Sequence, residues 1–216
     1  MYFIINCLIL KSKIYGEYDK LVTLYSYEFG KIKVVVPSAK KNTAKLSYAT
    51  EPLTKSELII YTNNITLIAK VTGARIIENN TGIKVDFEKT IYALYTIEVI
   101  DKFTTFNFEN NKKYILISRV WEILCICKYP KRVLMAFILR FLKLSGYNFY
   151  EYLKNNNVKI DKIIKENIKK LLNCSGNDID YIFDESEDRK IWYYIDIYLS
   201  NYIKCFSLDM FLKKKY

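Results

Sequence analysis

The sequence predicts a two-domain α+β chain, a five-stranded β-barrel followed by an all-α domain. Two observations carry this. From Phe3 to about Ile77, β-branched and aromatic residues are dense and polar residues often alternate with them. Beyond the polar stretch Asn79-Asn80-Thr81-Gly82, apolar residues instead recur at helical spacing. The expected domains are therefore residues 1–80 and 81–216.

Strands are expected near residues 3–13, 19–27, 31–37, 51–62 and 65–77, with turns at Tyr15-Gly16, Glu28-Phe29-Gly30 and Thr62-Asn63-Asn64. The clearest alternation is Lys31-Ile32-Lys33-Val34-Val35-Val36, which puts Lys31 and Lys33 on one face and Ile32, Val34 and Val36 on the other. Five short strands in about 80 residues suit a small closed barrel, and the Greek-key OB-fold is the commonest such barrel among nucleic-acid binders. Pattern alone leaves an SH3-like barrel or a small sandwich open.

In the second half, residues 87–105 carry Glu98, Asp101, Lys102 and Thr105 on one stripe, with Ile91, Leu94, Ile97 and Ile100 largely opposite. A second helix is expected at 112–128, stopping before Pro130. A third, at 131–145, ends at Gly146, which suits the left-handed C′ position. Further helices are expected at 158–173, with Ile160, Ile163, Ile164, Ile168, Leu171 and Leu172 at helical spacing, and at 188–206, burying Ile191, Ile195, Tyr198, Leu199, Tyr202 and Phe206.

Lys and Arg total 34 against 23 Asp and Glu, a formal charge of +11, which attracts polyanions and makes nucleic acid the default partner. The chain has no His, so the usual general base near neutral pH and the commonest zinc ligand are missing. Its five Cys include no CxxC pair and suit reduced, buried thiols. Carboxylate pairs such as Glu185 with Glu187, or Asp178 with Asp180, lack His or Cys partners, and no phosphate-loop or nucleophile-elbow motif is present. No enzymatic activity is expected, and the acidic stretch 178–188 reads as a solvated turn. The N-terminus lacks a positive leader, and the apolar run Val133 to Leu139 is far shorter than the ~20 residues of a membrane span. A cytoplasmic, nucleoid-associated protein without membrane contact is expected.

Between Phe29 and Thr50 lie Lys31, Lys33, Lys40, Lys41 and Lys45 and no acidic residue before Glu51. Lys40, Lys41 and Lys45 fall between the third and fourth strands, where ammonium groups beside exposed amides can track phosphates; a merely solvated basic loop has the same sequence. Tyr25, Tyr27, Phe29 and Tyr48 are candidate stacking platforms, Tyr25 foremost. In the helical half, Arg119, Lys131, Arg132 and Arg140 lie among apolar helices and suit a groove for an acidic peptide ending in hydrophobic side chains, or alternatively ordinary helix-edge packing.

The stretch Ile9 to Ser26, with Gly16-Glu17-Tyr18-Asp19-Lys20-Leu21-Val22-Thr23-Leu24, resembles the opening strands of the RecO family, which typically read LxxxxxGExDxLVTLFT. Glu28-Phe29-Gly30-Lys31-Ile32 resembles its ExGK hairpin, Ala39-Lys40-Lys41 its basic loop, and Glu51-Pro52-Leu53 its EP strand entry. Further on, the run from Ala93 to Phe103, the Arg140-to-Tyr147 turn and the Phe206-to-Leu212 ending resemble the family's helical half. The resemblance implies an OB-fold that binds single- and double-stranded DNA and a helical domain that docks partners. Those are RecR and the acidic C-terminal tail of single-strand-binding protein, with RecA loading and strand annealing as the outcome. Two departures stand out. Residues 147–157 lack the four-cysteine zinc motif of many members, so no metal or other cofactor is expected, and Pro37-Ser38 stands where the family often has Arg-Gly. The rival expectation is a general single-strand DNA- or RNA-binding OB protein outside recombination.

Overall fold

The computed structural model describes residues 1–39, 45–64, 68–176, 178–181, 183–200 and 202. The chain divides into two compact units, Met1–Thr81 with Thr104–Trp121, and Gly82–Phe103 with Glu122–Tyr216.

The first unit is built on five strands, β1 (Tyr2–Tyr15), β2 (Asp19–Ser26), β3 (Gly30–Val36), β4 (Lys55–Tyr61) and β5 (Ala69–Glu78). β1 pairs antiparallel with β2 through its second half and with β4 through its first. A register shift between Ile9 and Lys11 leaves Leu10 as an extra residue, and such a bulge bends the strand so that one long ribbon serves two neighbours. β2 pairs antiparallel with β3, β4 antiparallel with β5, and β3 meets β5 in parallel at Val34–Ala69 and Val35–Lys70. Alternation sends Ile5, Cys7, Ile9, Val22, Leu24, Ile32, Val34, Val36, Leu58, Ile60 and Val71 into one buried cluster.

A short helix, α1 (Lys45–Ala49), precedes β4. β4 begins at Lys55, later than the expected residue 51, for a local reason. Pro52 has no N–H, and Leu53 takes φ +64, donating to the Ile9 carbonyl at 3.0 Å and accepting from Asn80 Nδ2 at 2.9 Å. That tight turn delays the ladder. Residues 65–67 lie outside the described residues, and β5 starts at Ala69.

The chain returns to this unit at Thr104–Trp121. Phe106 forms an isolated parallel bridge with Lys31, and Asn107 N–H donates to the Lys31 carbonyl at 2.9 Å. α4 (Asn111–Ile126) follows, its early turns carrying Tyr114, which meets Tyr27 edge-on at 5.4 Å.

The second unit contains α2 (Thr81–Lys84), α3 (Phe87–Phe103), α5 (Pro130–Leu144), α6 (Phe149–Asn155), α7 (Lys162–Asn173), a 3-10 turn (Ile179–Tyr181) and α8 (Glu185–Ser200). α5 is its centre, buried from Pro130 to Leu139 and again at Phe141 and Leu142. Pro130 sits in the first turn, where a missing N–H costs nothing. The orphan amides of Lys128 and Tyr129 donate to the Asp180 carboxylate, both at 2.9 Å. Gly146 takes φ +87 after α5, as its position predicts. α7 begins at Lys162, not 158, and Ile163, expected inside, is 63% exposed. Tyr202 is also exposed, and Phe206 lies outside the described residues. None of the described helices is long and apolar enough to cross a membrane.

Candidate nucleic-acid interface

Because Val22, Val34 and their neighbours point inward, the alternate residues of β1, β2 and β3 point outward. Lys11 stands opposite Thr23, and Thr23 opposite Lys33, so register lays Lys11, Thr23 and Lys33 across three strands in one row. The next outward row is Lys13, Leu21 and Val35, and Val35 adjoins Lys70 of β5 through the parallel pairing. Lys11, Lys13, Lys33 and Lys70 are all exposed, and no acidic residue stands in either row. Lys11 and Lys13 lie outside the basic run that the sequence singles out, although Lys11-Ser12-Lys13 has the same alternation as Lys31-Ile32-Lys33.

The other end of this outer face is covered by the returning segment. Lys31 is only 3% exposed, its Nζ 4.5 Å from the centre of the Phe106 ring, and Lys33 Nζ lies 4.9 Å from the same point. Tyr25, opposite Lys31, is 1% exposed and its hydroxyl donates to the Asn110 carbonyl at 3.5 Å. Burial pushes its pKa up to about 12. Tyr25 therefore has no face to offer a base, which corrects the sequence expectation. A residue eighty-five positions away covers it, and periodicity carries no trace of that. Tyr27 packs on Tyr114 and Phe29 on Phe3, whereas Tyr48 stands exposed on α1.

Lys40 and Lys41 lie outside the described residues; Lys45 opens α1, its side chain likewise outside them. The approach to that loop is defined. Ser38 takes φ +52, and its N–H donates to Asp19 Oδ1 at 2.8 Å.

Of the four cations expected to line a peptide groove, Arg132 and Arg140 are bound to groups of the chain itself, and Lys131 borders an open cleft. Arg119 is exposed on α4 within the first unit, whereas the other three belong to the second. Arg132 is 2% exposed; its Nε donates to Asp188 Oδ1 at 3.0 Å and its Nη1 to the Asp180 carbonyl at 2.7 Å. Its guanidinium also lies over the rings of Tyr129 and Phe183. Arg140 Nη2 donates to the carbonyls of Leu171 and Cys174, both at 2.7 Å, closing the C-terminus of α7. Lys131 is buried with Nζ 5.7 Å from the Trp192 ring. Asp180 and Asp188 consequently belong to the scaffold, not to a solvated turn, since each meets a partner about fifty residues away. An open cleft of about 740 Å³ does lie beside them, lined by Glu88, Tyr92, Lys128, Lys131, Asp188 and Arg189 among others. Among the described residues no three His, Cys, Asp or Glu side chains cluster closely enough to hold a metal ion.

Residues 1–80 match the family model described as recombination protein O N terminal. Over those residues the chain is similar to the RecO family. It is 30% identical to the DNA repair protein RecO of Heliobacterium modesticaldum over 143 residues, 66% of this chain and 50% of that protein. It is 29% identical to the RecO of Listeria monocytogenes serotype 4b over 139 residues, 64% of this chain and 54% of that one. The RecO of Moorella thermoacetica is 30% identical over 139 residues, covering 64% and 51% of the two chains. The chain thus spans about half the length of the curated relatives it matches.

The RecO-like motifs acquire physical roles in the structure. Glu28 accepts the Asn6 N–H with both carboxylate oxygens, at 3.1 and 3.2 Å, joining the β2–β3 turn to β1. Asp19 holds Ser38 N–H, and Glu51 pairs with Lys20 Nζ at 2.6 Å. Gly30 combines φ +66 with a backbone approach by Phe108 that leaves no room for a Cβ.

Proposed function

We propose that this chain is a DNA repair and recombination mediator that works by binding rather than by chemistry. Its five strands make a closed OB-fold barrel, and the outward lysine rows, Lys11 with Lys33 and Lys13 with Lys70, track phosphates together with Lys40, Lys41 and Lys45, whereas Lys31 is covered by Phe106. The single observation that carries this is the register that aligns Lys11, Thr23 and Lys33 with no carboxylate among them. A surface so composed binds single- and double-stranded DNA by counterion release, and screening two strands at once lowers the repulsion opposing their pairing, so the chain anneals complements. The barrel domain of residues 1–80 is completed by the returning segment Thr104–Trp121, and the helical domain takes the rest of 81–216; the chain acts in the cytoplasm on the nucleoid.

Partner docking falls to the helical domain. The cleft beside Lys128, Lys131 and Arg189, floored by Tyr92 and Tyr129, suits the acidic, hydrophobic-ended tail of single-strand-binding protein. With RecR, the chain then opens coated DNA to RecA. The test is annealing of complementary strands coated with single-strand-binding protein, with RNA competitor alongside. Faster annealing, resistant to RNA and lost on deleting the coat protein's tail, supports mediation. Equal affinity for RNA and no effect on coated strands makes it a general single-strand binder.

A further inference from the structure

We infer that Phe106 is the stacking platform that gives this interface its hold on unpaired bases; the inference rests on the proposed DNA-binding role. With Tyr25 covered, the outer face of β2 and β3 lacks the aromatic ring that single-strand binding needs beside its cations. Residue 106 supplies one from outside the family-matched residues 1–80. Phe106 is 42% exposed although large apolar side chains usually bury, and the ammonium groups of Lys31 and Lys33 lie over its ring, 4.5 and 4.9 Å from the centre. The exposed Lys33 ammonium offers charge for the phosphate next to an exposed aromatic residue for the base, while the buried Lys31 holds the ring from below the surface.

The ring is also held in place. Phe106 bridges Lys31, Asn107 donates to the Lys31 carbonyl, and the Phe108 backbone seats on Gly30, so the platform rides on the sheet and not on a free loop. Holding it beforehand reduces the ordering cost of binding. Duplex DNA keeps its base faces stacked and presents only phosphates and groove edges. Phe106 therefore discriminates between strands, while the lysines serve both.

The experiment measures fluorescence anisotropy of the full chain with single-stranded DNA and with duplex of equal length, for wild type, Phe106→Leu and Phe106→Trp. Phe106→Leu keeps an apolar side chain at the site but removes the π-face. It is expected to lose roughly 5- to 100-fold on single strands and less than about 3-fold on duplex, whose binding also reports correct folding. Phe106→Trp is expected to retain single-strand affinity and to show indole emission quenched by single strands beyond any change in wild type, but not by duplex. Equal losses on both substrates, no loss on single strands, or an indole indifferent to saturating single strand would overturn the platform. Wild-type protein with no affinity for either DNA would instead overturn the DNA-binding role beneath it.

Discussion

The Phe108 carbonyl oxygen occupies the space where residue 30 would carry a Cβ, and Gly30 itself holds φ +66. Any side chain there meets backbone, which cannot swing aside as a flexible side chain can. Gly30→Ala is therefore expected to destabilise the first unit by about 3 kcal/mol or more, adding left-handed strain to the displacement of residues 104–110. Urea unfolding measures the loss, and amide exchange at Asn107, whose N–H is bound to Lys31, reports whether the segment lifts.

Arg132 and Asp188 form a buried pair across the second unit, with a direct Nε–Oδ1 bond of 3.0 Å. Arg132→Ala leaves a buried carboxylate without its cation and is expected to cost about 3–5 kcal/mol. The double variant Arg132→Met, Asp188→Leu removes both charges and should recover most of that loss. Denaturant unfolding of the single and double variants closes the comparison, and a double variant as unstable as the single one would contradict it.

Ser38 adopts φ +52, a conformation glycine takes freely, and is held there by the Asp19 carboxylate. Ser38→Gly is expected to leave stability unchanged or to raise it by up to about 1 kcal/mol, because relieved strain offsets the added freedom of the unfolded chain. Asp19→Ala, which removes the acceptor, should lower stability by about 1 kcal/mol. Thermal unfolding of both variants decides the order.

Buried tyrosines and a buried thiol make the fold sensitive to alkali. Burial pushes Tyr25 up to about 12 and drives Cys7, Tyr114 and Tyr198 further upward. In the unfolded chain tyrosine ionises near pH ~10 and cysteine near ~8.5, so the unfolded state releases protons that the folded state keeps. Their contribution is complete below those values and disappears as pH rises through the folded ones. The melting temperature should hold to about pH 8 and fall steadily from about pH 9 to 12. Tyr25→Phe should flatten the curve above about pH 10, since phenylalanine has no proton to lose.

The strand alternation of Lys31 to Val36 is legible because period-2 patterning is a local property, and Ile32, Val34 and Val36 are indeed core. The covering of Tyr25 is not, because Asn110 comes from a segment between two helices that carries no strand pattern of its own. The same holds for Arg132 and Arg140. A cation among apolar residues looks alike whether it faces an acidic peptide or its own chain, and only the fold brings Asp188 and the end of α7 to them. Lys11 and Lys13 escape notice for a different reason: their alternation is plain, but their alignment with Lys33 needs the register, which the bulge at Leu10 resets.

The most direct test of the central claim is the salt dependence of single-stranded DNA affinity for wild type and the Lys11→Ala, Lys33→Ala double variant. If the outward row tracks phosphates, the variant binds more weakly and the slope of log K against log salt becomes shallower by about 0.7 for each phosphate no longer neutralised, roughly 1.4 for the pair. An unchanged slope and affinity would mean that the lysines aligned by β1, β2 and β3 do not touch DNA.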